Sequence, residues 1–73
     1  MKIMPIDHQK VKRMRNRHHL TQTECARFSG LTRQQWCRLE RSGQRYELST
    51  AEKIAGALRC QIDEILSPAK EKP

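Results

Sequence analysis

Residues 22–41, QTECARFSGLTRQQWCRLER, constrain the fold of this chain more than any other stretch. A helix is expected over residues 22–29. Thr21 just before it can cap its free N–H groups, and Glu24, three residues later, completes the pattern of a capping box. Gly30 then suits a sharp turn, because glycine leaves a helix with positive φ at the lowest cost.

A second helix is expected directly after this turn, over residues 33–41, with Thr32 as its cap. Small or apolar residues fall at Cys25, Ala26, Ser29, Leu31, Trp36 and Leu39. Ala26 allows a close approach, and Trp36 and Leu39 place apolar surface beneath the second helix. Two short helices that cross steeply need this arrangement, so the stretch predicts a helix-turn-helix. Trp36 is expected in the core rather than as a stacking residue.

The bulk properties indicate one small basic domain. The chain has 73 residues, is 36% apolar and carries a net charge of +7. A domain of this size is near the lower limit for a self-sufficient core. An excess of cations favours a polyanionic partner, with nucleic acid as the first candidate. The alternative is an ordinary solvated basic surface.

The cysteines do not indicate a disulfide framework or a metal site. The chain has three cysteines, Cys25, Cys37 and Cys60, and no two of them have CxxC spacing. Cys25 and Cys60 fall at apolar positions, so we expect buried thiols. No signal peptide and no apolar run of about 20 residues is present, which predicts a cytoplasmic protein without a membrane span. No cofactor is expected.

The flanking segments predict three more helices. Residues 1–6 are expected to be a lead-in, residues 7–66 the domain and residues 67–73 a disordered tail. Asp7 can cap a helix over residues 8–17, with Val11, Met14 and Arg15 on one face. The other face is basic, and its residues are either solvated or in contact with phosphate: Lys10, Lys12, Arg13 and Arg17.

The second half of the chain predicts a fourth helix over residues 50–59 and a short fifth helix over residues 62–66. Ser49 and Glu52 have the spacing of a capping box for the fourth helix. No alternation typical of strands is visible. The predicted fold is therefore all-α, with five helices around one core.

Residues 11–66 resemble the Cro/CI, or XRE-type, family of phage and bacterial regulators. The resemblance rests on LTQ, the Ala–Gly spacing, the run LTRQQWCRLE and the later IAGAL. It implies a five-helix domain like that of the lambda and 434 repressors, which binds double-stranded operator DNA as a two-fold dimer. Arg59 departs from the family, where Gly or Asn is common after the fourth helix.

The resemblance also implies roles for individual residues. The positions that match base contacts are Arg33, Gln34, Gln35 and Arg38. For the DNA backbone the resemblance implies Gln22. Further candidates for backbone contacts are Thr21, Thr32, Arg41 and Arg45. Arg15 and Glu40 match a structural pair that joins the first helix to the end of the second helix of the motif.

The chemistry of these side chains suits base reading. Arg33 can pair with guanine O6 and N7, and Gln34 or Gln35 with adenine N6 and N7. In an arbitrary helix the same residues would be plain solvated groups. Arg41 and Arg45 are open to a second interpretation as ordinary loop residues.

The sequence thus predicts a non-enzymatic, sequence-specific DNA-binding transcription regulator, in the first place a repressor that acts as a homodimer on a palindromic operator. The alternative is an antitoxin that binds a protein toxin and its own promoter. Candidates for the dimer surface are Ile62, Ile65 and the loop around Arg45 and Tyr46.

Overall fold

The computed structural model describes residues 2–67, which form a mostly helical domain. In chain order its elements are β1 (Ile3–Ile6), α1 (His8–Arg17), α2 (Gln22–Ser29), α3 (Arg33–Ser42), β2 (Gln44–Glu47), α4 (Leu48–Ala57) and a 3₁₀ turn (Ile62–Glu64). None of the helices within residues 2–67 is long and apolar enough to cross a membrane. The predicted tail lies outside the described residues from residue 68 onward.

The starts of the first three helices confirm the predicted caps. Asp7 accepts hydrogen bonds from the backbone N–H groups of Gln9 and Lys10, at 2.8 and 3.2 Å. Thr21 closes a reciprocal capping box with Glu24 at the start of α2. These contacts satisfy N–H groups that a helix leaves without partners.

Two glycines make the sharp turns at either end of α3. Gly30 has φ of 78°, the left-handed conformation predicted for the turn of the motif. Gly43 has φ of 68°, and a Cβ atom there would lie 2.8 Å from the carbonyl oxygen of Ile6. The chain therefore turns from α3 back against β1 only because residue 43 has no side chain.

The core lies between α2, α3 and α4, with α1 packed across it. Its largest fully buried side chains are Trp36, Leu39, Ile54, Leu58, Ile65, Val11 and Cys25. Trp36 is therefore a core residue, as predicted. Burial raises the pKa of the Cys25 and Cys60 thiols to about 11, although Cys60 is only partly buried. Both thiols are consequently poor nucleophiles.

The prediction of an all-α fold is wrong in one region, because the chain contains a small sheet. β1 and β2 pair antiparallel, in a register that runs from Ile3 opposite Glu47 to Ile6 opposite Gln44. Most of the expected lead-in is therefore a strand. Each strand is four residues long, and Pro5 within β1 weakens its strand pattern. Such a pairing depends on long-range contacts that no local pattern reveals.

The count of five α-helices is also wrong, since the fifth element is a single 3₁₀ turn at Ile62–Glu64. Residues beyond it pair with β1 instead. Ile6 forms a bridge with Leu66, and the N–H of Asp7 donates to the carbonyl oxygen of Ile65 at 2.8 Å. A segment this short gains little from helix formation and more from its contacts with the strand.

The fourth helix starts earlier than predicted, at Leu48, and Ser49 is not its cap. β2 leads directly into α4, and the N–H of Leu48 donates to the carbonyl oxygen of Lys2 at 2.9 Å. Strand pairing thus fixes the helix start in place of the Ser49–Glu52 box. After the helix, Arg59 has φ of 57°, which explains why Gly or Asn suits that position.

Candidate nucleic-acid interface

The first turns of α3 present a polar, cationic surface to solvent. Arg33, Gln34 and Gln35 follow the cap residue Thr32, and Arg38 lies one turn later; all four are exposed. Trp36, between them in sequence, is fully buried. Trp36 and Leu39 face the core, whereas Gln34 and Arg38 lie on one outward face of the helix, with Arg33 and Gln35 on its two flanks.

Glu40 holds the other end of α3 against the domain. Its Oε1 accepts hydrogen bonds from Arg15 Nη2 at 3.0 Å and from Gln22 Nε2 at 3.2 Å. Its Oε2 accepts from Arg15 Nε and from Trp36 Nε1. The Arg15–Glu40 ion pair is therefore present, and the carboxylate also contacts α2 and the indole of its own helix.

This network keeps Glu40 charged although only 4% of its side chain is exposed. Burial raises the pKa of the carboxyl, but the hydrogen bonds from Arg15, Trp36 and Gln22 together outweigh it and leave the pKa lowered. The hydrogen bond to Glu40 in turn raises the pKa of Arg15. The pair is a desolvated ionic contact whose polar atoms are well satisfied.

Gln22 belongs to the same network. Besides its bond to Glu40, its Oε1 accepts a hydrogen bond from Cys37 Sγ at 3.1 Å. The sequence predicts that Gln22 contacts the DNA backbone, and in the structure its amide joins the start of α2 to α3. The N-terminus of α2, with its free N–H groups, is thereby held at a fixed position beside α3.

A groove of about 750 Å³ opens beside this network. It is lined by Lys12, Arg15, Leu20, Thr21, Gln22, Thr23, Arg33, Cys37, Glu40 and Arg41. Three of these, Lys12, Arg33 and Arg41, are exposed cations. Together with the N-terminus of α2 they make a concave site suited to an anion such as phosphate.

Some of the residues predicted to contact the DNA backbone line this groove, and others do not. Thr21, Gln22 and Arg41 line it, whereas Arg45 lies on β2 beside a second groove of about 700 Å³. The hydroxyls of Thr21 and Thr32 each accept a bond from the backbone of their own helix, at 3.0 and 3.1 Å. Both threonines thus have a demonstrated capping role.

Two residues that line this groove, Thr23 and Cys37, have no predicted role in DNA binding. Lys12 belongs to a basic face whose interpretation the sequence leaves open. The spacing of Trp36 and Glu40, four residues apart on one helix, is a usable signal for their hydrogen bond. No local pattern indicates the contact between Gln22 and Cys37, which depends on how α2 crosses α3.

Comparisons with known proteins agree with this geometry. No curated protein matches the chain. Among solved structures, the chain is similar to the restriction-modification controller protein C.AhdI from Aeromonas hydrophila. The identity is 30% and the TM-score 0.71, over 78% of this chain and 86% of that one. The model of the Cro/C1-type HTH DNA-binding domain matches residues 10–71. The chain therefore belongs to the Cro/C1-type helix-turn-helix family of DNA-binding proteins.

Proposed function

We propose that this protein is a transcriptional repressor that binds a palindromic operator as a homodimer, with α3 in the major groove. The observation that carries the proposal is the exposed surface formed by Arg33, Gln34, Gln35 and Arg38 on a helix whose other side is fixed by Trp36 and Glu40. A rigid helix with bidentate donors on its first turn is the geometry that base reading requires.

Base reading is assigned to the first turn of α3. Arg33 supplies two parallel N–H donors for O6 and N7 of a guanine, and Gln34 supplies a donor and an acceptor for an adenine. Arg38 follows Gln34 by four residues, so both lie on the same side of the helix. Arg38 extends the contact along the groove to a base or a phosphate.

Phosphate binding is assigned to the groove between α1, α2 and α3. Lys12 and Arg41 flank the N-terminus of α2 there, and a phosphate between them gains cationic side chains and free N–H groups together. Lys and Arg contacts of this kind release counterions, so they add affinity that falls with salt.

A homodimer places two copies of α3 in successive major grooves, about 34 Å apart. Ile65 was a candidate for the dimer surface, but it is 0% exposed and belongs to the core. Ile62 is partly buried and packs against that core. The exposed Arg45 and the half-buried Tyr46 on β2 remain as candidates for contacts between the two copies.

The likeness to C.AhdI favours a narrower candidate for the regulated genes. That protein is a restriction-modification controller, and the chain matches it over most of both lengths. We therefore propose the promoters of restriction-modification genes, beside the protein's own promoter, as the first DNA to test. Binding to only one of these promoters would distinguish the two candidates.

Footprinting on DNA upstream of the protein's own gene, at several salt concentrations, tests the proposal. We expect protection of a palindromic site by the parent protein, and loss of that protection in Arg33→Ala. Lys53→Ala is a matched control, because it removes one exposed cation from α4 and leaves α3 intact. Equal, strongly salt-dependent binding by all three proteins without a preferred site would contradict the proposal.

A further inference from the structure

The two neighbouring glutamines at the start of α3 differ in what their amides are free to bind. The backbone N–H of Thr32 donates to Gln35 Oε1 at 2.9 Å, and Gln35 N donates to Thr32 Oγ1 at 3.1 Å. A backbone N–H pairs only with an acceptor, so the amide atom of Gln35 that faces Thr32 must be the oxygen. Within residues 2–67, no hydrogen bond holds the side chain of Gln34.

This difference matters because an adenine is read by both ends of a glutamine amide. The oxygen accepts from N6 while the nitrogen donates to N7. The oxygen of Gln35 is held against the cap of α3 and cannot turn to a base without opening the capping box. The Nε2 group of Gln35, with its donors, is left for DNA, whereas Gln34 keeps both a donor nitrogen and an acceptor oxygen.

We propose, on the basis of the proposed function, that Gln35 closes the N-terminus of α3 with its oxygen and offers DNA only the N–H donors of its Nε2. It recognises an acceptor atom, either N7 of a purine or a phosphate oxygen, and does not distinguish adenine from guanine, because both carry N7. Of the two glutamines on this turn, only Gln34 distinguishes adenine from guanine. Gln35 thus adds affinity, and Gln34 adds sequence preference.

Melting of the free protein tests the capping role. Gln35→Glu keeps an oxygen for the N–H of Thr32, so its melting temperature should match that of the parent. Gln35→Ala removes the bond and should lower the melting temperature by about 4 °C. Equal melting of Gln35→Glu and Gln35→Ala, both well below the parent, would show that the cap does not depend on this oxygen.

Titration of operators in which each adenine is replaced by guanine tests the DNA role. Gln35→Ala should weaken binding about 3- to 10-fold on every operator, since one neutral hydrogen bond is lost, and should keep the preference for adenine. Gln34→Ala should lose a preference of about 10-fold or more at one position in each half-site. Loss of an adenine preference in Gln35→Ala would overturn the inference.

The two sources of the acceptor are separated with modified operators. Replacing a purine by its 7-deaza analogue removes N7, and replacing a phosphate by methylphosphonate removes the charged oxygen. The acceptor is identified by the modification that weakens DNA binding by the parent but does not weaken binding by Gln35→Ala any further. If every modification weakens binding by both proteins equally, the inference is overturned. If the parent protein binds no DNA site preferentially, the proposed function is overturned instead. The melting temperatures of Gln35→Glu and Gln35→Ala then still decide the capping role.

Discussion

The two ends of α3 differ in almost every physical respect. At its N-terminus, Arg33 and Gln34 are exposed, and no described side-chain hydrogen bond holds them. At its C-terminal half, Glu40 is buried and accepts four hydrogen bonds from Arg15, Gln22 and Trp36. The first turn of α3 is therefore free to present side chains for the proposed base reading, because the last turns of the same helix are fixed to the domain.

The two ends should therefore respond differently to substitution. Changes near Glu40 should act on folding, because they leave buried polar groups without partners. Changes at Arg33 and Gln34 should act on DNA binding, because these exposed side chains form no described hydrogen bond and contribute little to the stability of the free protein.

The largest expected effect is that of Glu40→Ala. Removing one partner of a buried ion pair leaves an uncompensated charge on Arg15 and costs about 3–5 kcal/mol. For a domain of this size that is a large part of the free energy of unfolding. Urea denaturation measures the change, with Glu52→Ala, an exposed glutamate on α4, as the control. An unchanged midpoint would mean that the pair adds nothing to stability.

The same contact predicts a pH dependence. The pKa of Glu40 is lowered in the folded protein from its ordinary value of 4.5. Its contribution to stability is thus complete above about pH 5 and is lost as the pH falls through the folded pKa. The difference in the free energy of unfolding between the parent and Glu40→Gln should shrink in acid. A difference that stays constant from pH 7 to pH 3 would contradict the assigned ionisation.

At the other end of α3, Arg33→Ala should weaken binding to the preferred site by about 1–3 kcal/mol, the value of one bidentate base contact. Thermal denaturation of the same sample should give the parent's melting temperature. Competition titration against an unrelated duplex measures the specific part of the affinity. A large fall in melting temperature would contradict this assignment, because it would show that Arg33 stabilises the fold as Glu40 does.

The smallest expected effect lies outside α3. Arg59 adopts a left-handed conformation that disfavours residues with a side chain. Arg59→Gly should raise the free energy of unfolding by about 0.5–1 kcal/mol, since the relief of strain exceeds the added flexibility of the unfolded chain. Chemical denaturation checks the sign. A destabilised variant would indicate that the Arg59 side chain contributes more to the fold than its strain costs.

The helix-turn-helix could be predicted because its signals are local. The caps at Thr21 and Thr32, the glycine at Gly30 and the apolar position of Trp36 each fix structure within a few residues. The sheet could not be predicted in this way, since β1 and β2 are separated by three helices and only the folded chain brings them together.

The same distinction applies to the candidate interface. The exposed residues of the first turn follow from helix periodicity once the cap at Thr32 is known. The position of Gln22 does not, because its bonds to Glu40 and Cys37 depend on how two helices cross. The contact of Gln22 with Cys37 therefore needs the folded chain, whereas the contact of Arg15 with Glu40 could be predicted from the family resemblance.

The most direct test measures specificity and stability on the same samples of the parent and Gln34→Ala. Affinity for the footprinted site is divided by affinity for an unrelated duplex at the same salt concentration, and each sample is then melted. We predict that Gln34→Ala lowers this ratio about 10-fold or more and leaves the melting temperature unchanged. An unchanged ratio would contradict the assignment of base reading to the first turn of α3.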